Sequence, residues 1–233
     1  MAIRRYLAMT ASEIADFPEI PEHTAYMFCP FFPEPEETSA IQADGCLLVL
    51  TDAFPPDDSK QESVIRKLKT MNAGSILLDF QRKGDRGGYG FAKRLCEAVE
   101  CPVILPEIYA DKLNGPVFLP PVPLHSSLDE YLAPWKGREV WLDVSREAAQ
   151  ITLRESGSEY AWLGSFLPPE NGHWEKKLSC HYRISLEEDA AVFTLWRTES
   201  DLEALLREAG QMGVQNIIGL YQEWRGSGLP EIL

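Results

Sequence analysis

The chain has 233 residues, of which 45% are hydrophobic and 25% are charged, and this composition is that of an ordinary globular protein with one large core. Its formal net charge is −14, so a nucleic-acid backbone or an anionic membrane surface would repel it at long range, and neither is expected as a partner. No apolar run approaches the roughly 20 residues of a membrane helix and no signal-peptide core follows residues 1–5, which indicates a cytoplasmic location.

The cysteines and histidines do not form a recognisable metal or disulfide pattern. The five cysteines are odd in number, which favours buried, reduced thiols. Cys96 and Cys101 lie five residues apart, but no second pair or clustered histidine completes a zinc site. No Gly-x-Ser-x-Gly segment occurs either. We therefore expect neither a metal nor a cofactor, and no acyl-transfer chemistry.

Short apolar runs that end at turn residues predict buried strands along most of the chain, because strands covered on both faces are apolar at nearly every position. Helical signals separate several of these runs. Apolar residues at helical spacing predict helices near residues 63–71, 91–99, 128–132 and 200–211. The predicted buried strands are residues 24–29, 46–52, 75–81, 102–105, 116–119, 138–143, 191–196 and 216–221.

This repeated order predicts an α/β fold in which residues 1–233 form one domain, a TIM-like (β/α)8 barrel. The strand count leaves one ambiguity. If residues 6–9 form a barrel strand, every later strand moves up by one number, and one of the eight runs must lie outside the barrel. An open, doubly wound sheet is the alternative, but it needs fewer strands than the sequence offers.

Between residues 146 and 188 the pattern changes to strict alternation, which predicts an antiparallel β-hairpin insertion within the barrel. Residues 151–154 and 160–163 flank a turn, and residues 178–184 predict a further strand. The aromatic residues of this insertion suit a carbohydrate-stacking rim, a partner surface, or simple packing against the barrel. They are Trp162, Trp174 and Tyr182.

Polar and aromatic residues follow the predicted strands where each strand ends, and the carboxyl ends of parallel strands meet at one mouth, where such folds place their sites. Asp79 and Gln81 are two apart on one strand and so point the same way. Together with Glu107 they are the candidate catalytic positions. Carboxylates can bind or act on sugar hydroxyls while rings stack on the apolar face of a sugar, so a glycan or other small polar ligand is expected. The candidate ligand-binding residues are Asp52, Arg82, Tyr109, Asp143, Arg197, Tyr221, Glu223 and Trp224.

Residues 74–81, which end in Asp79-Phe80-Gln81, resemble the catalytic strand of chitinase-like, family 18 glycoside hydrolases. That strand carries an Asp-x-x-Asp-x-Asp-x-Glu pattern on a TIM barrel. On this pattern Asp79 matches the third Asp and Gln81 replaces the Glu. Leu77 and Gly74 replace the two earlier Asp residues. The resemblance implies a TIM barrel with a carbohydrate site.

The replacement bears on activity, because that chemistry requires the Glu to protonate the leaving oxygen and an amide has no suitably acidic proton. The resemblance therefore implies one of two functions. Either the mouth binds a glycan without cutting it, or another acid such as Glu107 has taken over. Residues 117–121 and 131–142 are also similar to a group of bacterial proteins of unknown function, which implies no activity. The ligand, any turnover and the oligomeric state stay open at this point.

A competing function comes from the glycine-rich segment Gly84–Gly90, which follows a predicted strand and precedes a predicted helix. Backbone N–H groups at such a position can face an anion, with Lys83 and Arg86 adding positive charge. The segment matches neither the dinucleotide fingerprint nor the phosphate loop of nucleotide hydrolases, and a mobile solvent loop explains it better.

Overall fold

The computed structural model describes residues 3–17, 19, 22–28, 45–51, 58–82, 86–163, 166–169 and 171–224. The strands are β1 (Arg4–Met9), β2 (Thr24–Phe28), β3 (Leu47–Thr51), β4 (Ser75–Asp79), β5 (Val103–Pro106), β6 (Val117–Leu119), β7 (Val140–Asp143), β8 (Ala148–Arg154), β9 (Gly157–Trp162), β10 (His173–Glu175), β11 (Cys180–Leu186), β12 (Ala191–Trp196) and β13 (Asn216–Leu220). The helices are α1 (Ala11–Ile14), α2 (Asp58–Thr70), α3 (Arg86–Ala98), α4 (Glu107–Ala110), α5 (Leu128–Leu132), α6 (Glu199–Gln211) and α7 (Tyr221–Trp224).

Eight parallel strands close into a barrel in the order β1-β13-β7-β6-β5-β4-β3-β2. The barrel is closed by β1, which pairs in parallel with β13 on one side and with β2 on the other. The predicted (β/α)8 barrel is therefore confirmed, and the open-sheet alternative is wrong. We call the end of the barrel at the carboxyl ends of its strands the mouth.

The structure also resolves the ambiguity in the strand count. Residues 6–9 belong to the barrel strand β1, whereas residues 191–196, which the sequence analysis placed in the barrel, form β12 outside it. That placement was wrong because β12 is apolar and ends with both faces covered, at Leu195 and Trp196. Its sequence therefore looks like that of a barrel strand.

The barrel interior is filled by side chains. In β4, Leu77 packs inside the barrel, whereas Ile76 and Leu78 pack in the outer layer against the helices. Phe118 and Trp141 occupy the interior from β6 and β7, and the indole N–H of Trp141 donates to Glu139 Oε1 at 3.0 Å. Because this interior is packed, a ligand has access at the mouth and not through the barrel.

A second, antiparallel sheet interrupts the barrel between β7 and α6. Its strand order is β10-β11-β12-β8-β9, and its strands span residues 148–196, beyond the predicted end of the insertion at residue 188. A small buried cluster attaches it to the loop after β6, with Ala149, Cys180 and Leu195 packed against Leu124.

Helices α2 and α3 begin earlier than periodicity alone predicts. Helix α2 begins at Asp58, five residues before the predicted start, and α3 begins at Arg86, so the second half of the segment Gly84–Gly90 is helical. None of the helices in the described ranges is long and apolar enough to cross a membrane.

Candidate functional site

Side chains alternate between the two faces of β4, and this alternation places two polar residues at the mouth on the interior side of the strand. Leu77 packs inside the barrel, and Asp79 and Gln81, two and four residues further on, follow on the same side. The Gln81 amide donates a hydrogen bond from Nε2 to Asp79 Oδ1 at 2.9 Å. The sequence prediction that these two side chains face the same way is therefore confirmed.

Strand β7 repeats this arrangement with another acid. Trp141 fills the interior, and two residues later Asp143 reaches the mouth. Burial is the main cause that raises the pKa of Asp143 well above its ordinary value, and the negative charges of Asp79, Glu223 and Glu147 raise it further. These four acids are therefore close enough to interact electrostatically.

Glu223 comes to this group from α7, directly after the last barrel strand. Burial raises the pKa of Glu223, although its carboxylate accepts a hydrogen bond from the backbone N–H of Arg146. Arg146 lies in the segment that leaves β7, so the hydrogen bond joins two neighbouring loops of the mouth. The side-chain guanidinium of Arg146 is itself bonded to Glu199.

Glu147 is a member of the acid cluster that the sequence analysis missed. Burial raises its pKa to about 7, against the opposing effect of the positive charge of Arg197. Its Oε2 atom is buried and has no hydrogen-bond partner among the described residues. The signal was weak, because Glu147 lies in an irregular segment four residues beyond the end of β7 and not at a strand end.

Tyr131 of α5 is a second residue that the sequence analysis did not place at the site. Its hydroxyl donates to the backbone carbonyl of Pro120 at 2.8 Å. The pKa of the phenol is raised chiefly by burial and then by the charges of Glu107, Asp143 and Glu147. Glu107, the first residue of α4, is thereby placed near the same acids.

The remaining candidates lie elsewhere or have other partners. Tyr109 is 5% exposed and packs in the outer core against Phe80 and Tyr89, because α4 begins at Glu107 and ends the strand alternation. Tyr221 packs edge-on against Phe17, with ring centroids 5.5 Å apart.

Arg197 is buried, and its guanidinium donates hydrogen bonds to backbone carbonyls of two separate segments. The acceptors are Ser179 and Leu178, each at 3.1 Å, and Val122 after β6. These bonds tie the antiparallel sheet to the barrel. Arg197 thus has a structural role in addition to any contact with a ligand.

The last three candidates complete the set. Arg82 is exposed just after β4. Trp224 is the last residue of α7. Asp52 lies outside the described residues. For these residues the ligand-binding role stays a prediction.

A cavity of about 970 Å³ opens beside Glu147, between the segment after β7, residues 166–168 and the start of α6. Phe166 and Trp196 line it, with ring centroids 5.8 Å apart. The antiparallel sheet adds Tyr160, whose pKa is raised by burial and by the charge of Glu147, so this ring lies close to the acids. Acids and rings therefore occur together on one side of the barrel.

The chemistry of this site is that of protonated and ionised carboxyls near aromatic rings. Within the described residues, no group of three or more His, Cys, Asp or Glu side chains is arranged to hold a metal ion. The mouth can accept hydrogen bonds from hydroxyls, and its raised pKa values let some of its carboxyls donate as well.

No protein-family model matches this sequence, and no curated protein matches it. Solved structures do match its fold. The spore cortex-lytic enzyme SleL of Bacillus cereus is 11% identical, with a TM-score of 0.54 over 96% of this chain and 73% of that one. A family 18 chitinase of Cycas revoluta, solved in complex with (GlcNAc)3, is 9% identical, with a TM-score of 0.56 over 93% of this chain and 94% of that one.

A double mutant of the Cycas chitinase, in which one substitution replaces Glu by Gln, was solved in complex with (GlcNAc)4. It is 10% identical to this chain, with a TM-score of 0.56 over 93% of this chain and 94% of that one. At these identities the likeness is one of fold. The chain folds as a TIM barrel of the type found in chitinase-like, family 18 glycoside hydrolases.

Proposed function

We propose that this protein is a carbohydrate-binding barrel that lacks chitinase-type hydrolysis. The observation that carries the proposal is the pair Asp79 and Gln81, hydrogen-bonded at 2.9 Å at the mouth of a chitinase-like barrel. In the pattern that this strand resembles, the position of Gln81 holds the proton donor. Here that position holds an amide, and the amide donates one of its N–H groups to Asp79.

Gln81 in place of an acid removes proton donation to the leaving group but leaves hydrogen bonding to the sugar possible. A Gln side chain cannot protonate a glycosidic oxygen, so the leaving group has no proton donor at this position. The same amide can still hydrogen-bond a sugar hydroxyl or acetamido group. The Glu-to-Gln mutant of the Cycas chitinase in complex with (GlcNAc)4 supports this separation of binding from cleavage.

Aromatic rings beside the acids support a sugar as the ligand class. Tyr160 and Trp162 lie on one face of the antiparallel sheet, with 46% and 62% of their surfaces exposed. Exposed rings stack on the apolar faces of sugars, while carboxylates such as Asp79 and Asp143 accept hydrogen bonds from hydroxyls.

Calorimetry and thermal unfolding with (GlcNAc)4 test this proposal, together with an assay of chromogenic chito-oligosaccharides. We expect saturable binding, a rise in melting temperature and no turnover. Asp79→Asn should weaken binding about tenfold, because it removes a charged hydrogen-bond acceptor. Glu208→Gln, which alters an exposed acid in the second half of α6, is the matched control. Robust wild-type turnover that Asp79→Asn abolishes would refute the proposal.

The second candidate function is a glycoside hydrolase that uses a different acid. The sequence suggested Glu107 for this role, but the structure favours Glu147, whose pKa is raised to about 7 and whose Oε2 atom lacks a partner among the described residues. A broad panel of glycosides, assayed with Glu147→Gln and Glu107→Gln, distinguishes the two acids. Activity lost in only one of these variants identifies the proton donor.

The anion-binding alternative stays a prediction. Lys83 and Gly84 lie outside the described residues, and from Arg86 onward the segment is helix α3. Saturable binding of inorganic phosphate, weakened by Arg86→Gln, would support it against the carbohydrate proposal.

A further inference from the structure

One face of the antiparallel sheet is apolar over four adjacent strands. The register pairs Tyr160 of β9 with Ile151 of β8, Ile151 with Phe193 of β12, and Phe193 with Ile184 of β11. Residues paired in this way share a face. One row further from the barrel, Leu153 is paired with Ala191 and Ala191 with Leu186. We call these two rows, together with Trp162 at their inner edge, the apolar face. A partner docked on it would cover Tyr160 and Trp162, so it would exclude a sugar from these two rings.

The barrel covers this surface only at its near end. In the row next to the barrel, Ala149 and Leu195 are buried against Leu124. Further out the cover ends, and Leu153, Ile184 and Leu186 are 42%, 46% and 82% exposed. With Tyr160 and Trp162, they account for five of the eight large hydrophobic residues that are exposed within the described ranges. Clustering of this kind marks an interaction surface, whereas single exposed hydrophobics do not.

The far end of the apolar face carries an acidic rim. Glu155 lies in the turn between β8 and β9, and Glu187, Glu188 and Asp189 lie in the turn between β11 and β12; all four are exposed. Both turns lie at the same end of the sheet, because Leu153 and Ala191 are paired. Arg154, the basic residue of this end, is ion-paired with Asp189 at 3.6 Å and with Glu159 at 3.8 Å.

The dimensions of the apolar face fit a single helix. Neighbouring strands lie about 4.8 Å apart, so the span from β9 to β11 is roughly 14 Å. An α-helix with its side chains is about 10–12 Å in diameter. One amphipathic helix laid on the face would therefore cover both exposed rows, with its polar side close to the acidic rim.

The negative charge of the acidic rim and of the whole chain determines which kind of partner can bind the apolar face. A second copy of this chain would bring the same four acids and the same net charge of −14, and an anionic membrane surface would be repelled by the rim. A partner with apolar side chains flanked by lysine or arginine can pack on the apolar face and form ion pairs with the acidic rim. We propose that the apolar face docks a basic amphipathic helix of a partner protein.

A pair of designed peptides tests this proposal on the full chain. One is an amphipathic helix of about 18 residues made of Leu and Lys, and the other carries Glu in place of Lys, with the same apolar side. Binding is measured by fluorescence anisotropy of the labelled peptide. We expect the Lys peptide to bind saturably with an affinity that falls as salt rises, and the Glu peptide to bind at least tenfold more weakly.

Three variants locate the binding surface. Leu153→Ser with Leu186→Ser should weaken the Lys peptide at least tenfold and leave the melting temperature unchanged, because both side chains are exposed. Glu187→Gln with Glu188→Gln should weaken it several-fold and flatten its salt dependence. Met212→Ser, which removes an exposed hydrophobic residue at the end of α6, is the matched control and should change nothing.

Two results would overturn the proposal. One is equal binding of the Lys peptide by the wild type and by the double Ser variant, since the peptide would then be held by charge elsewhere. The other is a concentration-dependent dimer in sedimentation that the double Ser variant dissociates, since the apolar face would then be an interface between copies of this chain.

Discussion

Glu147 is a half-buried acid at the mouth, and its Oε2 atom has no hydrogen-bond partner among the described residues. Its pKa is raised from 4.5 to about 7, chiefly by burial, so the folded chain holds a proton that the unfolded chain releases. The contribution of Glu147 to the free energy of unfolding is therefore largest below about pH 4.5. It is lost as pH rises through 7.

We expect Glu147→Gln to stabilise the fold at pH 8 by about 1 kcal/mol, after allowance for partial exposure of this side chain, and to have little effect at pH 4.5. The reason is that the amide removes the cost of a half-buried charge only where that charge exists. Urea unfolding of the variant and the wild type from pH 4.5 to 8 measures the difference. Glu208→Gln, at an exposed position, should show no such trend, and a Glu147→Gln curve parallel to that of the wild type would contradict the prediction.

At the scale of residues, strand alternation predicted part of the site. It correctly aligned Asp79 with Gln81, because both continue the side of β4 that holds Leu77. Strand alternation does not continue beyond the end of a strand. The prediction for Tyr109 was therefore wrong, because Tyr109 lies in helix α4 and packs in the outer core. It also missed Glu147, because an irregular segment has no periodicity from which a direction can be inferred.

At the scale of elements, one buried arginine holds the antiparallel sheet to the barrel in addition to the apolar cluster around Leu124. Arg197 follows β12, and its guanidinium bridges the start of β11 and the loop after β6 through backbone carbonyls. Burial lowers the pKa of Arg197. The planar fork of an arginine can reach several carbonyls at once, and a lysine cannot reproduce that geometry.

We expect Arg197→Lys to destabilise the protein by about 2 kcal/mol, because carbonyls of buried segments lose their donors. Limited proteolysis should also cut within residues 148–196 sooner than in the wild type. Arg183→Lys, on the exposed part of β11, is the matched control. Equal stability of the two variants would show that the sheet is held by its apolar cluster alone.

The strands were predicted well where both of their faces are buried. Seven of the runs read as barrel strands are barrel strands, because both of their faces are covered and their sequences are apolar throughout. The exception, β12, is covered on both faces at one end, where Leu195 packs against Leu124 and Trp196 packs against Phe166. One sequence does not show which neighbour covers a strand, so a buried strand outside the barrel looks like one inside it.

At the scale of the whole molecule, the acids of the mouth come from four separate parts of the chain. Asp143 and Glu147 are four residues apart, whereas Asp79, Glu107 and Glu223 come from distant parts of the chain. Closure of the barrel brings Asp79, Glu147 and Glu223 within electrostatic range of Asp143, and it brings Glu107 within range of Tyr131 beside these acids. The charges of Asp79, Glu223 and Glu147 add to burial in raising the pKa of Asp143, so these negative charges repel one another. The molecule as a whole adds a net charge of −14, so the mouth lies in a negative field.

This field should make binding depend on the charge of the ligand. We expect an uncharged (GlcNAc)4 chain to bind at least tenfold more tightly than a tetrasaccharide of uronic acids, and the ratio to grow between pH 5 and pH 8. The growth follows because Asp143, Glu147 and Glu223 have raised pKa values, so more of them are ionised at the higher pH and repel a carboxylate ligand. Calorimetry at low salt measures both affinities, and added salt should reduce the ratio by screening.

Glu147→Gln should bind the anionic sugar more tightly at pH 8 than the wild type does, whereas Glu208→Gln should not. Equal affinity for the two sugars at both pH values would place the ligand away from these acids and would remove them from the proposed site.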